Sequence, residues 1–301
     1  MYDCIIIGMG PAGMGAGIYA KRSGLKTLIL DESAPGGLLN KISIVENYLG
    51  FKSLTGSELA YKMYEHVLNE DIEHKMEKVL KIEDHKDYKT VYTTKNQYKT
   101  KGIIIAIGRK LKRAGIPNED KFMSKGISYC AICDAALYKN KDILVLGGGN
   151  SAFEESLYLS KFAKNITILV RNEISADDEL TDAIKNTNIK VRTGVKVKEF
   201  NGTDHLEGVT LDSGEVIKCD GAFVYYGYTA DASFVSNLNI TDDHGYILVD
   251  RNMKTKVDYI YACGDIIKKD VYQIINAVAE GAVAATKLND EIDKNNKWLV
   301  Q

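Results

Sequence analysis

Tyr2-Asp3-Cys4-Ile5-Ile6-Ile7-Gly8-Met9-Gly10-Pro11-Ala12-Gly13 opens the chain with an apolar run and a Gly-x-Gly-x-x-Gly turn, followed by small residues at Ala16, Gly17 and Ala20. That order predicts a strand, a tight turn and a helix. The first glycine permits the turn, the second lets the backbone approach a pyrophosphate, and the third lets helix and strand pack closely. Phosphate charge would then rest on the helix N-terminus, where free N–H groups favour it. The next apolar run, Thr27-Leu28-Ile29-Leu30, ends in Asp31, an acid placed to accept from a ribose hydroxyl.

The pattern recurs. Asp142-Ile143-Leu144-Val145-Leu146 is followed by Gly147-Gly148-Gly149-Asn150-Ser151-Ala152 and then by Phe153-Glu154-Glu155. A late apolar run, Tyr259–Cys263, ends in Gly264-Asp265 and leads to a helix expected near 272–293. Two such units in 301 residues predict an α/β fold with two Rossmann-like nucleotide-binding domains, the second inserted into a discontinuous first. The expected boundaries are 1–112 with 243–301 for the first domain and 113–242 for the inserted one. Only 3 prolines occur and no low-complexity run, so the crossings should be short and ordered.

Bulk properties exclude several roles. Lys and Arg number 39 against 41 Asp and Glu, a net charge of -2 that gives no global attraction to nucleic acid or membrane. No basic leader or long apolar segment opens the sequence, so a cytoplasmic protein is expected. Of five cysteines, Cys4, Cys219 and Cys263 stand singly and two form Cys130-Ala131-Ile132-Cys133, which is one redox pair rather than a secreted disulfide framework. Zinc would need two further ligands, and the histidines at 66, 74, 85, 205 and 244 are isolated and expected at the surface. No metal is expected. Asp134 directly follows the second cysteine and can give or take a proton as thiolates form and leave.

Along nearly its whole length the chain resembles the low-molecular-weight thioredoxin reductases. The resemblance is carried by Gly8–Gly13, Ala34-Pro35-Gly36-Gly37, Val45-Glu46-Asn47-Tyr48, Ala106-Ile107-Gly108, Cys130–Asp134, Gly147–Glu155, Cys263-Gly264-Asp265 and Glu280-Gly281-Ala282. It implies FAD on the discontinuous domain, held by Gly8, Gly10, Pro11, Ala12 and Gly13, by Asp31, and by Gly36, Gly37 and Leu38. Asn47, Ala106, Gly108, Gly264, Asp265, Gln273 and Ile274 complete the implied set. It also implies that Cys133 meets the flavin, that Cys130 exchanges with thioredoxin, that Asp134 handles protons, and that the protein is a homodimer.

The departures concern the electron donor. The cation cluster that holds an NADPH phosphate in this family is replaced by Val170-Arg171-Asn172 and a following Ala176-Asp177-Asp178-Glu179. A dianion is costly to desolvate without charged donors. Leu38 and Tyr272 also stand where the family has Gln and Arg. In this the chain is similar to the ferredoxin-linked flavin thioredoxin reductases of anaerobic bacteria, and reduced ferredoxin is the expected donor. NADH or NADPH through the turn Gly147–Ala152 is the alternative, and a flavin-bound redox sensor without turnover is a third reading. The run Arg109-Lys110-Leu111-Lys112-Arg113 is a candidate docking patch for an acidic ferredoxin or a solvated linker. Trp298 could stack on a flavin or anchor a dimer surface.

Overall fold

The computed structural model describes residues 1–42 and 44–298, without the side chains of Leu111, Asn186 and 294–298. The expectations for Trp298 therefore lie outside the described residues. The chain forms two compact units, Met1–Lys110 with Thr229–Gln301, and Leu111–Tyr228.

The first unit is built on a seven-stranded sheet. Strand Tyr2–Ile7 lies between Thr27–Asp31 and Gln97–Ile105, parallel to both, with Ile5 opposite Leu28 on one side and Ile103 on the other. Glu73–Met76 extends the parallel block beyond Thr27–Asp31, and Ile260–Ala262 joins Gln97–Ile105 in the same direction. Lys89–Thr93 and Val79–Asp84 complete the sheet as an antiparallel meander. Successive side chains of a strand face opposite ways, so both faces of Tyr2–Ile7 need cover. Cys4 and Ile6 pack under helices Pro11–Arg22 and Ile274–Trp298 with Ile104, Ala284 and Leu288. Ile5 and Ile7 pack the other way, with Leu28, Ile103, Val235 and Ile247.

The second unit carries a five-stranded parallel sheet in the order Ile189–Arg192, Asn165–Leu169, Asp142–Leu146, Gly221–Val224, Ile127–Ser128. A three-stranded antiparallel sheet covers it, through Phe200, Leu206 and Val209 against Leu144, Leu146 and Ala222. The short strand Ile127–Ser128 runs straight into the cysteine pair, and Asp142–Leu146 runs into Gly147. Dithiol and second glycine turn thus share the carboxyl end of one parallel sheet, where open α/β sheets place their sites.

The return crossing differs from expectation. It lies at Tyr228–Thr229, not near 243. The intervening turn Ser233–Leu238 belongs to the first unit because Val235, Leu238 and Ile240 bury against its sheet, and Asn237 donates to Ile82 O at 3.0 Å. The outward crossing falls at Lys110–Leu111, and the two crossings pair as a two-stranded ribbon. Among the described residues no helix is long and apolar enough to span a membrane.

Candidate active site

In the first unit the glycine turn is shaped by contacts that forbid side chains. A Cβ on Gly8, whose φ is +105°, would stand 2.3 Å from Ala106 O, and one on Gly13 would stand 1.9 Å from Gly8 O. Gly10 is different: nothing lies within 4 Å of where its Cβ would be. Helix Pro11–Arg22 begins there with Pro11 in its first turn and no side-chain cap, so no side chain occupies its N-terminus. The Gly36-Gly37 turn closes in from the side. Gly36 N–H donates to Met9 O at 2.8 Å, and the nearest neighbour of a Cβ on Gly37 would be Gly10 Cα at 3.7 Å. Ala12 is buried against Gly264. This backbone-lined hollow at an uncapped helix start fits the pyrophosphate of a dinucleotide.

Asp31 is engaged by the protein itself. Its Oδ2 accepts from Met9 N–H and its Oδ1 from the Ser33 N–H and hydroxyl. It therefore shapes the glycine turn, a role beyond the expected ribose contact. Asp265 lies between Arg109 Nε at 3.5 Å and Lys269 Nζ at 3.6 Å, while Glu280 accepts from Gly264 N–H and Lys269. Arg109 also stacks on Tyr272 at 3.8 Å. Asn47 Nδ2 donates to Gln273 Oε1 at 3.1 Å, across 226 residues of sequence. Ile274 packs against Leu39, Leu59 and Ala60, Leu38 is half-buried in the turn Gly37–Lys41, and Gly108 takes a φ of +65° beside Ala106.

The cysteine pair is joined as a disulfide, with Cα atoms 5.3 Å apart and both residues half-buried. Cys133 N–H donates to Cys130 Sγ at 3.3 Å, an interaction that favours negative charge on that sulfur. Asp134 Oδ2 accepts from the Ser128 hydroxyl at 2.6 Å, and the same hydroxyl accepts from Cys130 N–H at 3.2 Å. Ser128 thus ties acid to dithiol, and it was not among the residues expected from sequence. Burial pushes the Asp134 carboxyl above its ordinary range, only partly offset by Ser128, so it holds a proton more readily than a surface aspartate. The other cysteines are buried thiols. Burial lifts Cys4 and Cys263 strongly and Cys219 to about 12, which leaves them unreactive.

The second glycine turn is strapped from one side. Gly148 O accepts from Ser175 N–H at 2.8 Å and Ala176 N–H at 3.0 Å. Asn150 and Asp177 hold each other through Asn150 Nδ2 to Asp177 Oδ2 at 2.8 Å and Asp177 N–H to Asn150 Oδ1 at 2.9 Å. A carboxylate therefore stands at the start of helix Asn150–Leu159, where a phosphate would approach.

Two expectations are corrected. Three of the four cations in 109–113 are engaged: Arg109 with Asp265, Lys110 with Glu32 and Asp231, and Arg113 with Asp120. A free basic docking run is thus not what this segment provides. His74 is not an isolated surface residue, because it is half-buried and bonded to the Tyr64 hydroxyl at 3.0 Å. Among the described residues no group of His, Cys, Asp and Glu is arranged to hold a metal ion.

A dinucleotide cradle and a Cys-x-x-Cys disulfide, each at the end of parallel strands of its own sheet, define a flavin-linked disulfide oxidoreductase. The family model "Pyridine nucleotide-disulphide oxidoreductase" matches residues 2–281. The thioredoxin reductase of Ureaplasma parvum is 42% identical over 304 residues, covering 98% of each chain. The crystal structure of thioredoxin reductase from Streptococcus pyogenes superposes with a TM-score of 0.94 at 40% identity, over 98% of this chain and 99% of that one. The chain belongs to the low-molecular-weight thioredoxin reductase family, whose members are FAD-binding flavoproteins. The expected special likeness to the ferredoxin-linked members is not supported. A ferredoxin-flavin thioredoxin reductase from Clostridium acetobutylicum is 30% identical with a TM-score of 0.55, over 97% of this chain and 98% of that one.

Proposed function

We propose that this chain reduces the disulfide of a thioredoxin, with FAD held on the first unit and electrons passed through Cys130 and Cys133. The observation that carries this reading is the disulfide itself, held with Asp134 and Ser128 at the carboxyl end of a parallel sheet. FAD would lie along Gly8–Gly13 and Gly36-Gly37, with Leu38, Asn47, Ala106, Gly108, Gly264, Asp265, Gln273 and Ile274 about its remaining parts. When bound, it supplies the two electrons that open the disulfide. Asp134 supplies a proton to a departing sulfur, and Cys130, whose sulfur accepts the Cys133 N–H, becomes the exposed nucleophile toward thioredoxin. A homodimer in the cytoplasm is part of this reading.

For the donor we propose reduced ferredoxin. Asn172 and Ala176 stand among residues where a 2′-phosphate would need cations, and the Asp177 carboxylate at the helix start repels one. NADH or NADPH through an atypical nucleotide site is the second reading, favoured by the intact glycines Gly147 and Gly149 and by the ordinary thioredoxin reductases among the relatives. Anaerobic titration of the yellow protein, followed by flavin absorbance with thioredoxin disulfide as acceptor, separates them. Bleaching and turnover with ferredoxin alone is the expected result. Fast bleaching by either NADH or NADPH supports the second reading and overturns the first.

A further inference from the structure

Four charged side chains of the first unit lie together against the start of the glycine cradle, and all are largely withdrawn from solvent. Arg109 and Lys269 keep 14% and 11% of their side-chain exposure, Asp265 and Glu280 25% and 15%. Glu280 accepts from the Lys269 ammonium at 2.7 and 3.0 Å and from Gly264 N–H at 2.9 Å. Gly264 in turn touches the cradle, since a Cβ on it would stand 2.7 Å from Ala12 Cβ. Asp265, the next residue, has Arg109 Nε at 3.5 Å and Lys269 Nζ at 3.6 Å. Lys269 is committed to Glu280 at hydrogen-bond distance, so Arg109 is the second cation that the second carboxylate needs.

Tyr272 seats both cations. Its ring centroid lies 3.8 Å from the Arg109 guanidinium carbon and 5.4 Å from Lys269 Nζ, and its hydroxyl accepts from Lys269 N–H at 3.3 Å. A guanidinium that close to an aromatic face is held there by cation–π attraction. Arg109 follows Gly108, and Tyr272 precedes Gln273, whose side chain accepts from Asn47 at 3.1 Å. Each of the pair therefore adjoins a residue proposed above to hold FAD.

We propose that Arg109, seated on Tyr272, supplies the compensating positive charge of the flavin site and favours the reduced cofactor over the oxidised one. The pyrophosphate of FAD is anionic before any electron arrives. Reduction of a flavin by two electrons and one proton leaves one further negative charge on its ring system. With Arg109 in place, two cations and two carboxylates cancel. Without it, Asp265 stands as an uncompensated carboxylate beside an anionic cofactor, and the more negative, reduced form loses most. A side chain that only filled space would act on both forms alike. Tyr272 is a positioning residue that acts through Arg109.

The inference rests on FAD lying on the first unit, as proposed above, but on neither the electron donor nor thioredoxin. Two measurements test it: the Kd of the apoprotein for FAD, from quenching of FAD fluorescence, and the midpoint potential of the bound flavin, from its absorbance during dithionite reduction against a reference dye. Arg109→Gln is expected to weaken binding of reduced FAD about 10-fold more than that of oxidised FAD. That ratio lowers the potential by about 30 mV for a two-electron couple. Arg109→Lys, which keeps the charge, is expected to retain most of the wild-type potential. Tyr272→Phe keeps the ring and should leave both measurements near wild type. Tyr272→Leu unseats the guanidinium without removing a charge and should lower the potential by less than Arg109→Gln does. A wild-type potential in Arg109→Gln, even with weaker FAD binding, would mark a packing role and overturn the proposal. Should that variant fail to fold, a wild-type potential in Tyr272→Leu would overturn it equally. A wild-type apoprotein that takes up no FAD would instead overturn the flavin placement itself.

Discussion

A side chain at position 8 would have to pass through the carbonyl of Ala106, and its backbone would sit at a φ of +105°. Gly8→Ala is expected to cost about 2–4 kcal/mol from strain and overpacking together, and to release flavin, seen as colourless protein with a lowered denaturant midpoint. Asp134→Asn should lower turnover by about 10²–10⁴-fold if this acid protonates the dithiol. It should also change stability in a defined direction. The folded pKa of Asp134 is raised, so the native state binds more protons than the unfolded chain and loses stability as pH rises from about 4 through the folded value. Asp134→Asn removes that loss, and urea midpoints across the acid range would show a flatter slope. At this scale the sequence was legible where spacing encodes chemistry: the two cysteines with their acid, and both glycine turns. Ser128 was not, because it closes the strand six positions before Asp134 and only the fold of the intervening turn brings its hydroxyl back to the carboxylate.

Between elements, helices Pro11–Arg22 and Ile274–Trp298 cross at close range. A Cβ on Gly281 would stand 2.2 Å from Ala12 O, and one on Gly15 would stand 2.9 Å from Val278 O. Gly281→Leu should force these helices apart at a cost of about 1–3 kcal/mol. Because Ala12 belongs to the cradle, weaker flavin retention should accompany the lowered melting midpoint; unchanged retention would disconnect the crossing from the cradle. Leu288, fully buried on the next turns of the same helix, offers a control: Leu288→Ala should cost about 2–5 kcal/mol while leaving Gly281 in place. The sequence revealed the strands that carry continuous apolar runs, since burial on both faces leaves no alternation to misread. It concealed Glu73–Met76, whose side chains Glu73, His74, Lys75 and Met76 are exposed or half-buried at the sheet edge. It also concealed the return crossing, because the polar stretch from Thr241 to Gly245 resembles a linker until Val235 and Ile240 before it are seen to bury against the first unit's sheet.

For the whole molecule, the repeated strand–turn–helix unit disclosed two nucleotide-type sheets, while the position of the second seam needed the packing. That seam has a practical meaning. The chain leaves the first unit at Lys110 and re-enters it at Thr229, and Thr229 Oγ1 donates to Lys110 O at 3.4 Å. Just beyond, Lys112 N–H donates to Gly227 O at 3.0 Å. Exit and entry are therefore neighbours on each side of the seam, and each unit has its own core. Residues 111–228 expressed alone should unfold cooperatively and gain two thiols on reduction beyond the free Cys219, measured by circular dichroism and thiol labelling. The complementary piece, closed by a few glycines from 110 to 229, should still turn yellow with FAD. In genetic terms the dithiol-bearing half is a cassette with adjoining ends, one that recombination can lift out, replace or graft while the host gene's sheet stays unbroken.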